Sequence, residues 1–90
     1  PDIKPIREFV FTDHALNEMA RRQISEEDVK TVLANPEQME MAREGVLYIN
    51  RGCRWEKRQG QILRVFVDIH LTPPDVVTVY RTSKIEKYWR

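Results

Sequence analysis

Glycine is scarce in this 90-residue chain, with three in all, and cysteine is scarcer still, with one. Few glycines leave little material for a phosphate-cradling loop, and neither a P-loop nor a dinucleotide fingerprint is present. A lone thiol, Cys53, forms no intrachain disulfide and has no second thiol with which to share a metal, so a reducing, cytoplasmic setting is expected. The two histidines, His14 and His70, lie far apart, with no HExxH or zinc-like spacing, and no metal or other cofactor is expected. There is no G-x-S-x-G nucleophile elbow. The longest nearly apolar stretch, Val65 to Ile69, is broken by Asp68. Nothing approaches the roughly 20 apolar residues of a membrane span. No signal-peptide pattern opens the chain, and no membrane partner is expected.

What is present suits one small domain spanning residues 1–90: 41% hydrophobic residues for a core and 32% charged residues for a surface. Net charge is +1, but it is unevenly spread. Residues 1–50 carry six Lys/Arg against ten Asp/Glu, or −4; residues 51–90 carry nine against four, or +5. A basic half attracts phosphates. The alternative is that acidic helices and basic strands neutralise one another within the fold.

Along the chain, Pro1 to Arg7 reads as an extended lead-in and Glu8–Phe11 as a short strand. Thr12 suits a helix N-cap, because its hydroxyl can accept a first-turn amide, and Asp13 complements the positive helix end. The spacing predicts a helix over 13–23, with Leu16, Met19, Ala20 and Gln23 on one side and His14, Glu18 and Arg22 on another. Ser25-Glu26-Glu27-Asp28 resembles a capping box, and Ile24 and Val29 are placed for a hydrophobic staple across it. That second helix, with Val29, Val32 and Leu33 as its core stripe, stops at Asn35 because Pro36 disfavours helix in the residue before it.

From Gln38 the period moves toward two. Strands are expected at Gln38–Ala42, Val46–Asn50, Gly52–Lys57, Ile62–Ile69 and Val76–Arg81, with Gly45, Gln59-Gly60 and Thr72–Asp75 as turns. Ser83–Glu86 reads either as a last helical turn or as an edge strand. Short connections favour antiparallel pairing. The expected fold is α+β: two N-terminal helices packed on one face of a curved, mainly antiparallel sheet of about four strands.

Alternation sorts the residues of the expected strands by face. Leu63, Val65, Val67 and Ile69 should face the helices, with Val77 and Val79 beside them; Ile62, Arg64, Phe66 and Asp68 share the other face with Val76, Thr78 and Tyr80. A cation beside a phenol and a hydroxyl can bind a phosphodiester and stabilise its transition-state charge; equally, such a face can be solvated cross-strand pairs. His14 suits a general base, or a hydrogen bond to Glu18. Arg22 suits phosphate, or anchors its helix by pairing with an acid. Lys57 and Arg58 flank a hairpin turn, where basic residues commonly just solvate. Trp55, Tyr88 and Trp89 can stack bases or fill core.

The segment His14-Ala15-x-x-Glu18-Met19-x-x-Arg22-Gln23-Ile24-Ser25, with Val29, Val32, Leu33, Asn35-Pro36 and Thr78-Val79-Tyr80, resembles the domain-of-unknown-function 4258 family over roughly Phe9 to Arg81. Two positions depart from it: the family often has Arg in place of Glu18 and Gly in place of Gln23. The family looks like a branch of the RelE-like toxin fold, shared with barnase-like and EndoU-like ribonucleases. That likeness implies helices on one sheet face, RNA on the other, and a toxin paired with an antitoxin protein. The resulting expectation is a toxin-like endoribonuclease acting without a metal, on free or ribosome-associated RNA. His14, Arg64, Thr78 and Tyr80 are its catalytic groups, and Arg22, Lys57 and Arg81 bind substrate. The alternative is a non-catalytic protein- or RNA-binding module of the same fold; a DNA-contacting regulator is disfavoured, since no helix-turn-helix is present.

Overall fold

A computed structural model describes residues 5–42, 45–51 and 62–82. Its elements run β1 (Val10–Phe11), α1 (Asp13–Arg22), α2 (Glu26–Ala34), β2 (Gln38–Ala42), β3 (Gly45–Arg51), β4 (Ile62–Asp68) and β5 (Asp75–Thr82). The class is α+β, as the sequence predicts. The expected strand over Gly52–Lys57, the turn at Gln59-Gly60 and the element at Ser83–Glu86 lie outside the described residues.

Both helix starts are fixed by side chains. Thr12 Oγ1 accepts from Ala15 N and Ser25 Oγ from Asp28 N, each at 3.1 Å. Ile24 and Val29, the two ends of the staple, are both buried. α1 ends one residue earlier than expected, because Gln23 turns into the left-handed region at φ 56°. The Gln23 and Ile24 amides then donate back to Ala20 O and Met19 O, closing the helix in Schellman fashion.

The sheet has five strands in the order β1-β5-β4-β3-β2, rather than about four. β2 to β5 pair antiparallel, and β1 adds a parallel pair on the outer edge of β5 through Val10–Asp75 and Phe11–Val76. A parallel partner needs a long crossover, and here the whole chain between β1 and β5 supplies it. Gly45 was expected to make a turn but is the first residue of β3, paired with Ala42. A Cβ there would overlap the Val67 carbonyl oxygen of β4, so the glycine permits a close backbone approach.

Ala15, Met19, Ile24, Val29, Val32 and Leu33 pack from the helices onto Leu63, Val65 and Val67 of β4, with Val76 and Val79 of β5. Burying each of these side chains larger than alanine stabilises the fold by roughly 1.5–3 kcal/mol. Three expected core positions are corrected. Leu16, expected beside Met19, is 40% exposed, because α1 turns Ala15 and Met19 inward. Ile69 is also 40% exposed: β4 ends at Asp68, whose carboxylate accepts from His70 N at 3.0 Å and starts the turn. Val76, not Val77, is fully buried. The register shifts between Phe66 and Val67, leaving Val77 as the extra residue of a bulge, so that Val76 changes face while Thr78, Val79 and Tyr80 keep theirs. Among the described residues, no helix is long and apolar enough to cross a membrane.

Candidate anion site at the end of α1

The backbone first brings α1 alongside β5. Thr12 N donates to Val76 O at 3.1 Å, so α1 begins beside the start of β5. It ends beside Arg81, whose guanidinium donates to the carbonyls of Arg22 and, at 3.5 Å, Gln23. Those carbonyls are among the last of the helix, where orphan acceptors and the negative dipole end attract a cation. Since β1 pairs only with Asp75 and Val76, it leaves the later part of β5 to α1.

The β4–β5 register sets Arg64 directly opposite Tyr80 and Phe66 opposite Thr78. Beyond the bulge, Thr78 and Tyr80 alternate with the buried Val79, which puts them on the face away from the helices. Arg64 is buried to 8% exposure and donates from Nη1 to the Tyr80 hydroxyl oxygen. Its guanidinium carbon lies 5.2 Å from the Tyr80 ring centroid. From the end of α1, the Arg22 guanidinium carbon comes within 6.0 Å of the same centroid. Both distances are in the range where a cation is attracted to an aromatic ring.

Arg22 is held there from its own helix. Glu18 Oε2 accepts from Arg22 Nε at 2.8 Å, and the same carboxylate accepts from Arg21 Nη2 at 2.6 Å. The hydrogen bond from Arg21, followed by that from Arg22, holds the Glu18 carboxyl below its usual range, although desolvation works the other way. Glu18 is therefore the anion that binds both arginines at the end of α1.

The geometry joins Arg22, Arg64 and Tyr80 into one cluster, with Thr78 on the Tyr80 face of β5, while Arg81 holds the end of α1 through the Arg22 and Gln23 carbonyls. His14 is exposed on α1, about 12 Å along the helix from Arg22. Lys57 lies outside the described residues. The face of β4 that carries Arg64 is less polar than expected: Leu47, Ile49 and Ile62 are buried there, with Phe66 against them. Polar chemistry is thus confined to the β5 side. Arg21, Gln23 and Glu18 also belong to the site's surroundings; Glu18 and Gln23 are the two positions that depart from the family the sequence resembles, and Arg21 had no expected role. Their signal was the acid–base spacing at i, i+3 and i, i+4 leading into Arg21-Arg22.

Two guanidiniums around a phenol can bind one phosphate oxygen pair and neutralise charge that builds on it. Because the Tyr80 oxygen accepts from Arg64, the phenolic hydrogen must be donated elsewhere, as an acid or hydrogen-bond donor would require. Among the described residues, no group of three His, Cys, Asp or Glu is placed to hold a metal ion.

Neither the curated proteins nor the solved structures contain a match to the chain. The sequence model described as "Domain of unknown function (DUF4258)" matches residues 11–81, which include α1, α2, β2 to β4, all of β5 but Thr82, and every described residue of the cluster. The chain belongs to that family.

Proposed function

We propose that this chain is a toxin-like endoribonuclease on a RelE-like fold, cleaving RNA without a metal ion and held in check by an antitoxin protein. The observation that carries the reading is the Arg64 hydrogen bond to Tyr80, with Arg22 reaching the same ring from α1. The guanidiniums repel a metal cation, and with the phenol between them they suit a phosphodiester. The RNA 2′-oxygen attacks the adjacent phosphorus, forming the new P–O bond while the P–O5′ bond breaks. Arg22 and Arg64 neutralise the crowded phosphate, and Tyr80 Oη protonates the departing 5′-oxygen. Thr78, on the same face, donates to a phosphate oxygen. A base must take the 2′-hydroxyl proton; His14 stands about 12 Å along α1 from Arg22, beyond the hydrogen-bond reach that a general base needs, so that proton passes to solvent water.

The test uses the full chain with a labelled oligoribonucleotide in EDTA, with and without ribosomes. Cleavage should leave a 2′,3′-cyclic phosphate, or its hydrolysed 3′-phosphate, opposite a 5′-hydroxyl. Positioned acid–base groups typically contribute about 10²–10⁴-fold, so Tyr80→Phe should slow cleavage by at least tens, whereas His14→Ala should leave the rate within a few-fold of the parent. If folded protein leaves RNA intact in both conditions and its expression does not slow growth, the chain is a non-catalytic binding module instead.

A further inference from the structure

Beside the Tyr80 cluster, a cavity of about 340 Å³ opens between the end of α1 and β5, lined by Arg21, Arg22, Gln23 and Arg81. One cation near a helix C-terminus is ordinary, since it complements the dipole for roughly 0.3–1 kcal/mol. Three guanidiniums around one opening exceed that need. Against them stands the Glu18 carboxylate, leaving a formal excess of 3 − 1 = +2. The walls are also held in place before any ligand arrives. Arg81 is fixed by the Arg22 and Gln23 carbonyls, and Arg21 and Arg22 by Glu18. Preorganised donors lose less freedom on binding than solvated ones.

Arg22 belongs to both places: it lines this cavity and stands 6.0 Å from the Tyr80 ring centroid. A group that serves two adjoining anion sites matches a ligand with two anions one repeat apart, which is how a nucleic-acid strand presents its phosphates. We propose that the Arg21–Arg22–Gln23–Arg81 cavity is a second phosphate subsite, occupied by the phosphate next to the one held at Arg64 and Tyr80. This rests on the reading that a phosphodiester sits at Tyr80. It makes the minimal ligand a strand with two consecutive phosphates. Gln23 adds an amide able to donate to a phosphate oxygen.

Binding of short 2′-O-methylated probes, which cannot undergo 2′-oxygen attack, tests this on the full chain. The probes are a diuridine monophosphate, the same compound with a 5′-phosphate, and the same with a 3′-phosphate. One of the two terminal phosphates should tighten binding at least tenfold, and its salt dependence should steepen by about 0.7 in log K against log salt. Arg21→Gln should remove that gain; the Arg21 side chain is 67% exposed, so the variant should fold. If both terminal phosphates add less than twofold, or the gain survives Arg21→Gln, the subsite is wrong while the Tyr80 site stands. A phosphate gain in protein that never cleaves RNA upholds the subsite and overturns the nuclease. Failure to bind any of the three probes overturns both.

Discussion

Arg64 and Tyr80 face each other across the β4–β5 ladder, and the guanidinium donates to the phenol oxygen. Arg64 is a buried cation, and a buried charge is tolerated only where polar partners replace water. The pair therefore has a structural part as well as any chemical one. Tyr80→Phe should cost about 1–3 kcal/mol of stability, as expected when a buried donor loses its acceptor. Chemical denaturation should show this as a lowered midpoint at constant slope. Activity of the variant must accordingly be compared where both proteins remain folded. A variant as stable as the parent would mean that Arg64 does not depend on the hydroxyl.

Gln23 ends α1 at φ 56°, where a side chain is strained and glycine is at ease. The resemblance noted in the sequence, with Gly often at this position, finds its physical reason here. Gln23→Gly should raise stability by about 0.5–1 kcal/mol, the relieved strain outweighing glycine's greater freedom when unfolded. Gln23→Ala should gain nothing. Equal thermal midpoints for the glycine and alanine variants would show that the left-handed turn carries no penalty.

Much of the fold was legible because its signals are local. Ser25, the Ile24–Val29 staple and Pro36 bounded α2, and the apolar alternation of Leu63, Val65 and Val67 assigned the inner face of β4. The β1–β5 pairing was not, since two residues are too few to show a period. Nor was the inversion at Val76 and Val77: a run of two valines reads alike in either register, and only the partner strand decides where the extra residue falls. The approach of Arg22 to Tyr80 is likewise tertiary, arising because α1 runs beside β5.

That inversion is measurable. Val76 is fully buried and Val77 is not, so Val76→Ala should cost about 2 kcal/mol or more through lost burial and the cavity left behind. Val77→Ala should cost less than about 1 kcal/mol, as for other partly exposed positions. For a domain of this size each kcal/mol corresponds to roughly 4–8 °C in thermal midpoint, so the two variants separate readily. The opposite ranking would restore simple alternation, with Val77 beside Val79 toward the helices and Val76 on the face of Thr78 and Tyr80, and would remove the bulge.

Glu18 offers a pH signature. Its hydrogen bonds from Arg21 and Arg22 need the ionised carboxylate, and they hold its pKa below the ordinary 4.5. A carboxyl whose folded-state pKa is depressed contributes stability that is fully present above the unfolded value. That contribution is lost as pH falls through the folded one. Glu18→Gln should therefore lower the thermal midpoint at neutral pH, with the difference from the parent shrinking as pH drops below about 4.5. The carboxylate is close to solvent, so salt should reduce the effect as well. The same variant frees Arg22 from the contact that directs it toward Tyr80, and should weaken binding of the diuridine monophosphate at neutral pH even though it removes a negative charge. That sign separates the two roles open to Glu18. Weaker binding identifies a residue that positions Arg22, whereas tighter binding would mean that Glu18 merely repels the phosphate.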